Sequence, residues 1–131
     1  MSFKIHSIDG SGHIPGIEYL PCGAITPKIG MALVQSSGNL AIATGAVAPT
    51  YISMCEKESA CTAGDIIPVI RVSHDMIFET ESSAAFSSIK LGDKVTLAAG
   101  GLAVTATKTD GVAEVVYIDG TASGDMVRVR F

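Results

Sequence analysis

The chain has 131 residues, enough for one domain that buries a core without disulfides or a structural metal. Its net charge is −4, from 9 Lys and Arg against 13 Asp and Glu, so it lacks a basic footprint for nucleic acid. Charged residues make up 17% of the chain and hydrophobic residues 47%. This composition predicts either a surface partly buried in partners or an excess of alanine used in tight packing.

The sequence contains no segment typical of membrane insertion or export. No apolar run approaches the ~20 residues of a membrane-spanning helix, and the first seven residues lack the apolar stretch of a signal peptide. We therefore expect the protein to stay in the cytoplasm of the cell that makes it, without membrane contact. In that compartment Cys22, Cys55 and Cys61 are expected to be reduced thiols.

Residues 1–28 are predicted to form an extended N-terminal arm. Pro15, Pro21 and Pro27 recur every six residues, and frequent proline opposes helix and favours an extended path. Within the arm, residues 9–12 are typical of a turn and residues 16–20 of one short strand. We expect the arm to cross the surface of the β domain or to reach a neighbouring molecule.

Four β-type runs follow in residues 29–72, which we name unit one. The runs are residues 31–35, 40–44, 51–55 and 66–72. Ser36-Ser37-Gly38-Asn39 separates the first two runs and predicts a hairpin turn. Pro68 lies in the fourth run, and because proline lacks an N–H, it predicts an edge strand or a bulge.

A connector, residues 73–88, leads to unit two, residues 89–131, which again contains four β-type runs. Gly100-Gly101 and Asp110-Gly111 are hairpin signals between these runs. In the last run three apolar residues alternate with three others, which predicts a half-buried strand with Phe131 on the core side. The apolar set is Val127, Val129 and Phe131, and the opposite set is Met126, Arg128 and Arg130.

The two units resemble each other run by run, and self-similarity of this kind indicates an internal repeat. We predict an all-β fold, a small β-barrel or sandwich of about eight strands from two pseudo-repeats. Residues 29–131 then form a single β domain, preceded by the extended arm. Aligning Gly64-Asp65 with Gly124-Asp125 pairs Arg71 with Phe131, which predicts a bulge in one repeat or a false match at that end.

No catalytic site is predicted. His74-Asp75 resembles half of a catalytic relay, but a triad also needs a nucleophile on a strained turn, and the pattern G-x-S-x-G is absent. Ser11, in Gly10-Ser11-Gly12, is more typical of a flexible turn. We therefore interpret His74 and Asp75 as a surface loop pair and expect a non-enzymatic protein.

Cofactor and metal sites are also not predicted. Cys55 and Cys61 are separated by five residues, without the paired C-x2-C or C-x4-C elements of a zinc site, and they are interpreted as small buried thiols. The glycine-rich stretches match neither G-x-x-x-x-G-K-[ST] nor a dinucleotide-binding fingerprint, and we interpret them as turns.

The C-terminal part of the chain resembles a known group of proteins. The phrase Lys90-Leu91-Gly92-Asp93-Lys94-Val95, a glycine hairpin, a Val-Val-Tyr strand and the ending Gly124-Asp125-Met126-Val127-Arg128-Val129-Arg130-Phe131 are similar to head decoration (cement) and head-fibre proteins of tailed phages. The resemblance covers about a third of the chain well and unit one loosely. It implies a small β-barrel on the outer capsid shell, present as a homo-oligomer, often a trimer, that braces the major capsid protein.

The sequence therefore predicts a phage or prophage capsid decoration protein, made in the bacterial cytoplasm and located on the virion surface. One alternative is a small ligand- or carbohydrate-binding β module on a phage or cell surface. Such modules usually present aromatic stacking platforms, and here only Tyr19, Tyr51 and Tyr117 are available besides phenylalanine, since Trp is absent. A third hypothesis is a small hydrolase that uses a cysteine or His74.

Overall fold

The computed structural model describes residues 1–8 and 15–131, and in these residues the chain forms ten strands and no helix. The strands are β1 (Lys4–Ile8), β2 (Ile17–Cys22), β3 (Ala32–Ser36), β4 (Asn39–Ile42), β5 (Tyr51–Ser53), β6 (Asp65–Arg71), β7 (Met76–Glu81), β8 (Lys94–Val95), β9 (Ala113–Ile118) and β10 (Met126–Arg130). They are arranged in two sheets of five strands each. The predicted all-β fold is confirmed.

The first repeat is built from β2 to β6, which pair in a ring. The order is β2-β4-β3-β5-β6, and β6 pairs again with β2. Every neighbouring pair is antiparallel except β2 and β4, which run parallel and share the single pair Cys22↔Leu40. The interior of the ring is a small apolar cluster. Its buried members are Cys22, Met31, Leu33, Leu40, Tyr51, Cys61, Ile67 and Val69.

The second repeat uses the same connections in a more irregular form. Its sheet has the order β1-β7-β10-β9-β8. Beyond β8, Leu97 forms an antiparallel bridge with Val104, and Val104 forms a parallel bridge with Ser82, directly after β7. Val104 therefore stands where β4 stands in the first repeat, and the strands β7, β8, β9 and β10 correspond to β2, β3, β5 and β6.

Individual hydrogen bonds recur between the two repeats at a spacing of 60 residues. The Gly64 N–H donates to the Cys22 carbonyl at 2.8 Å, and the Gly124 N–H donates to the Ser82 carbonyl at 2.7 Å. In the turn before the last strand, the backbone N–H groups of Thr62 and Ala122 each donate at 2.9 Å to the carboxylate three residues further on. The two pseudo-repeats are therefore a property of the backbone, and each begins one strand earlier than units one and two, with β2 and with β7.

The local turn signals predicted several boundaries correctly. Ser37 and Gly38 form the two-residue turn between β3 and β4, with φ of 51° and 84°, which is the backbone that a tight hairpin requires. The strand count is ten instead of about eight because β1, β2 and β7 are added, whereas residues 100–105 form only the bridge at Val104. The described parts of the arm contain two strands, β1 and β2, and both are paired into the sheets.

The prediction that Pro68 marks an edge strand or a bulge is wrong. β6 is paired regularly on both sides, with β2 and with β5. Pro68 is tolerated because its nitrogen and its carbonyl face the β5 side of β6, just beyond the end of β5. There the Pro68 carbonyl accepts a hydrogen bond from the Met54 N–H at 3.0 Å. The missing N–H therefore removes no bond between β6 and β2.

The last strand has the predicted alternation, with a correction at its end. Val127 and Val129 are fully buried, whereas Phe131 follows the strand and is half-buried. The Phe131 ring packs 5.5 Å from the Phe3 ring and 5.7 Å from the Phe78 ring, measured between centroids. A bulge is present in one repeat only: the register between β9 and β10 shifts at Arg128 and Val129, whereas β5 and β6 pair without a shift.

A second apolar cluster joins the two repeats into one body. It combines Ala32, Ile52 and Ile70 of the first repeat with Phe78 and Val115 of the second, among other buried residues. Backbone hydrogen bonds also cross between the repeats, and they link β3 and the loop after β4 to the stretch after β8. They include Gly45 N–H to Leu97 carbonyl at 3.0 Å, the reverse bond at 2.9 Å, and Ala32 N–H to Gly101 carbonyl at 2.7 Å.

Candidate functional site

The His74-Asp75 pair does not form a catalytic relay in the structure. Both side chains are exposed in the turn before β7. The Nδ1 atom of His74 lies 2.8 Å from the Phe131 carbonyl oxygen, and Asp75 accepts a hydrogen bond from the Ser73 hydroxyl instead of bonding to the imidazole. Ser11, which was interpreted as part of a flexible turn, lies outside the described residues.

The three cysteines are free, and two of them are buried inside the first repeat. Burial, and next the hydrogen bond with Cys61, raises the pKa of Cys22 to about 12, so this thiol is protonated at neutral pH. The Lys57 ammonium lies 3.7 Å from the Cys61 sulfur and 3.7 Å from the Asp65 carboxylate. Cys55, the third thiol, is half-buried beside the same cluster. These contacts stabilise the loop against the ring.

No cluster in the described part of the chain has the composition of a metal site. No group of three or more His, Cys, Asp and Glu side chains there could hold an ion. The Nδ1 atom of His6 instead lies 3.6 Å from the Glu79 carboxylate across the β1–β7 pair.

An open apolar groove separates β1 from the first repeat. Its volume is about 380 Å³. Phe3 and Ile5 line one wall, and Ile29, Met54 and Ile70 line the other. The volume is in the range of small-molecule pockets, but the polar lining side chains are only Lys4 and His6, both at the β1 wall.

The most distinctive surface is an apolar strip on the outer face of β2 and β6, which we name the β2 strip and define as Ile17, Tyr19, Pro21, Ile66 and Pro68. The cross-strand pairs Tyr19↔Pro68 and Pro21↔Ile66 place these residues on one face of the sheet. Ile17, Tyr19 and Ile66 are 49%, 68% and 60% exposed. At its Ile17 end the strip continues to Ile70, which lines the apolar groove.

At the centre of the equivalent surface the second repeat carries charged side chains in place of apolar ones. Glu79 and Arg128 replace Tyr19 and Pro68, and the Arg128 Nε lies 3.3 Å from the Glu79 carboxylate. The Arg128 guanidinium also stacks 4.5 Å from the centroid of the Tyr117 ring. The same place in the same fold is therefore charged and internally paired in one repeat, and apolar and exposed in the other.

The two repeats also differ at the edge of this surface. β7 is covered along its outer edge by β1, with pairs from Lys4↔Glu79 to Ile8↔Met76. β2 meets β4 only at Cys22, and within the described residues no strand pairs with the outer edge of β2 at Ile17 or Tyr19. The first repeat therefore combines an open strand edge with an apolar face.

Sequence reasoning did not identify the β2 strip, although part of its signal is visible. Ile17 and Tyr19 alternate with Glu18 and Leu20, which is the period of a strand with two different faces. Their pairing with β6, 48 or more residues away, is set by register, which no local pattern encodes.

The chain matches no protein-family model and no curated protein. In the part of the chain that the structure describes, no helix has the length and apolar character needed to cross a membrane.

Proposed function

We propose that this protein is a non-enzymatic decoration protein that binds the outer surface of a phage or prophage capsid shell and braces the major capsid protein. The observation that carries the proposal is the β2 strip, an exposed apolar surface held on a paired sheet next to an open strand edge. Contiguous exposed apolar surface of this kind is typical of protein interfaces. The resemblance of residues 90–131 to decoration and head-fibre proteins selects the shell as the partner.

The rigidity of the molecule supports a bracing role. A brace must transmit force between shell subunits without deforming, and here one apolar cluster joins both repeats. Further exposed apolar residues recur at equivalent turns: Ile29 follows Lys28, and Leu91 follows Lys90. They provide surface for contacts between copies, and the homo-oligomer that we propose is a trimer, as the resemblance implies.

The direct test is binding to empty shells. The gene for this chain is expected beside genes for a major capsid protein, a portal or a protease. Shells assembled from that capsid protein alone are mixed with the purified protein and pelleted. We expect saturable co-pelleting in a fixed ratio to shell subunits, and shells that disassemble at a higher temperature. Protein that stays in the supernatant at all concentrations would contradict the proposal.

A carbohydrate-binding module is the alternative, and Tyr19 is the observation that favours it. An aromatic side chain that is 68% exposed beside a groove can act as a stacking platform for a sugar ring. Glycan-array binding that is lost in Tyr19→Ala, together with no binding to shells, would favour this alternative.

A further inference from the structure

We propose that the open edge of β2 binds an extended strand of the capsid shell subunit, antiparallel to β2, with the β2 strip packing against apolar side chains of that strand. The inference rests on the proposed function for the identity of the partner. It adds the site and the mode of binding, which are main-chain pairing at Ile17 and Tyr19 and side-chain packing on the same strand.

The backbone of β2 presents unused hydrogen-bonding groups at this edge. The Cys22 carbonyl accepts the Gly64 N–H on the β6 side, and the Gly23 N–H donates to Leu40 on the opposite side. Because polar groups alternate in direction along a strand, those of Ile17 and Tyr19 point away from β6. Pro68, opposite Tyr19, also turns its carbonyl away from β2, as expected for two opposite residues that do not hydrogen-bond to each other. Two donors and two acceptors therefore face outward.

The second repeat shows what an occupied edge of this fold looks like. There β1 pairs antiparallel with β7, and Lys4 lies opposite Glu79, the residue equivalent to Tyr19. β1 also supplies His6, 3.6 Å from the Glu79 carboxylate, so its side chains match the charged face on which it lies. Among the described residues, β1 covers the edge of the second repeat and no strand covers the edge of the first, which is left for a strand from elsewhere.

The surroundings of β2 define the chemistry of the missing strand. Residues next to Ile17 and Tyr19 on the outer face must be apolar, because the β2 strip has no charged member. Glu18 lies on the other face, near the end of the ring, where its carboxylate is 2.9 Å from Arg71. Because this position is already polar and charged, the site favours a polar or basic residue next to Glu18. The predicted pattern is apolar, polar or basic, apolar, without proline at the bonded positions.

A second copy of β2 fits this edge poorly. Antiparallel self-pairing centred on Tyr19 or Leu20 places Pro21 opposite Ile17 or Tyr19, and Pro21 has no N–H for the facing carbonyl. Self-pairing centred on Glu18 places two glutamates directly opposite each other, which is unfavourable. A strand of another sequence has neither defect, so we assign the edge to the shell subunit.

Two pairs of variants test the backbone and side-chain parts separately, in the shell-pelleting assay with the full chain. Ile17→Pro removes one outward donor at the first residue of β2, and we expect about fivefold weaker binding than Ile17→Ala, since a hydrogen bond contributes about 1 kcal/mol. Tyr19→Lys places a charge in the strip, and we expect at least tenfold weaker binding. Val47→Lys, at an apolar residue that is 46% exposed outside the β2 strip, is the matched control and should bind like the parent protein.

Hydrogen exchange provides a readout that does not depend on affinity. On shell binding, the amides of Ile17 and Tyr19 should become protected, as measured by mass spectrometry of the peptide covering residues 15–22. Parent protein that fails to bind shells would overturn both proposals. Binding with unchanged exchange and unaffected Ile17→Pro and Tyr19→Lys would overturn the strand site alone. A dimer of the free protein that Ile17→Pro abolishes would assign the edge to a second copy instead.

Discussion

Gly111 occupies a position in which no side chain fits. A Cβ atom there would overlap the backbone carbonyl of Lys94, because the chain passes directly against β8 before entering β9. The neighbouring Val112 N–H donates to the Val95 carbonyl at 3.0 Å, so the two segments cannot separate without losing this bond. The Asp110-Gly111 signal in the sequence thus marks a close approach of two backbone segments as well as a turn.

We expect Gly111→Ala to destabilise the protein by ~1–3 kcal/mol, the usual cost of overpacking. Gly100→Ala is the matched control, since a Cβ atom at Gly100 meets no atom within 4 Å. Both free energies of unfolding are measured by urea denaturation. Equal stability of the two variants would show that the backbone near Lys94 moves at little cost.

The buried Cys22 thiol makes stability depend on alkaline pH. Its pKa is about 12 in the folded protein, against 9.0 for an ordinary thiol, because burial disfavours the thiolate. The raised folded pKa gives stability that is fully present below pH 9 and lost as the pH rises towards 12. Between these values the unfolded chain releases the proton and the folded chain keeps it.

The melting temperature of the parent protein should therefore fall more steeply between pH 9 and 11 than that of Cys22→Ala. Ser59→Ala, at an exposed residue of the same loop, is the control and should retain the parent slope. The measurement is thermal unfolding followed by circular dichroism at several pH values. Parallel curves for the parent and Cys22→Ala would contradict the assigned pKa of Cys22.

At the scale of single elements, β10 holds the second repeat together. It pairs with β7 on one side and with β9 on the other, and Val127 and Val129 are fully buried in the cluster that joins the repeats. Phe131, just beyond the strand, packs between Phe3 and Phe78. The end of the chain therefore connects β1, β7 and β10.

Deleting residues 129–131 should give insoluble or unfolded protein. The deletion removes Val129 and Phe131, whose combined contribution of several kcal/mol is a large part of the ~5–15 kcal/mol of a typical domain. Arg128→Ala removes a partly exposed ion pair with Glu79 and the stacking on Tyr117, and should cost about 1–2 kcal/mol. Solubility and melting temperature are compared, and an unchanged melting temperature of the truncated chain would contradict the assignment of β10.

Elements with local signals were predictable from the sequence, and elements defined by pairing were not. Ser37 and Gly38 predict the β3–β4 hairpin because a tight turn needs positive φ at these two positions. The strand that contains Pro68 was predicted, but its placement at an edge or a bulge was wrong, since the cost of the missing N–H depends on where β5 ends. The β2 strip escaped prediction for the same reason, because Tyr19 and Pro68 meet only through the register of distant strands.

At the scale of the whole molecule, the two repeats are equivalent in backbone and different in surface. The recurrent bonds of Gly64 and Gly124 show how closely the backbones correspond. Glu79 and Arg128 form an ion pair on the outer face of the second repeat, whereas Tyr19 and Pro68 make the same face of the first repeat apolar. This asymmetry is the basis of the proposed binding site.

The shared cluster predicts that the repeats unfold together. Ile52 and Ile70 of the first repeat pack with Phe78 and Val115 of the second, so separating the repeats would expose both sets. We expect one transition in urea, with coincident midpoints from circular dichroism and from tyrosine fluorescence. Two separate transitions would show that each repeat is stable alone.

The edge of β2 is the proposed contact with the shell, and cryo-electron microscopy of decorated shells tests it directly. Shells saturated with the purified protein are reconstructed at a resolution that separates β-strands. We predict an additional strand of the shell subunit running antiparallel to β2 beside Ile17 and Tyr19, with its apolar side chains on the β2 strip. Attachment through another face with the β2 edge in solvent, or undecorated shells, would contradict the account.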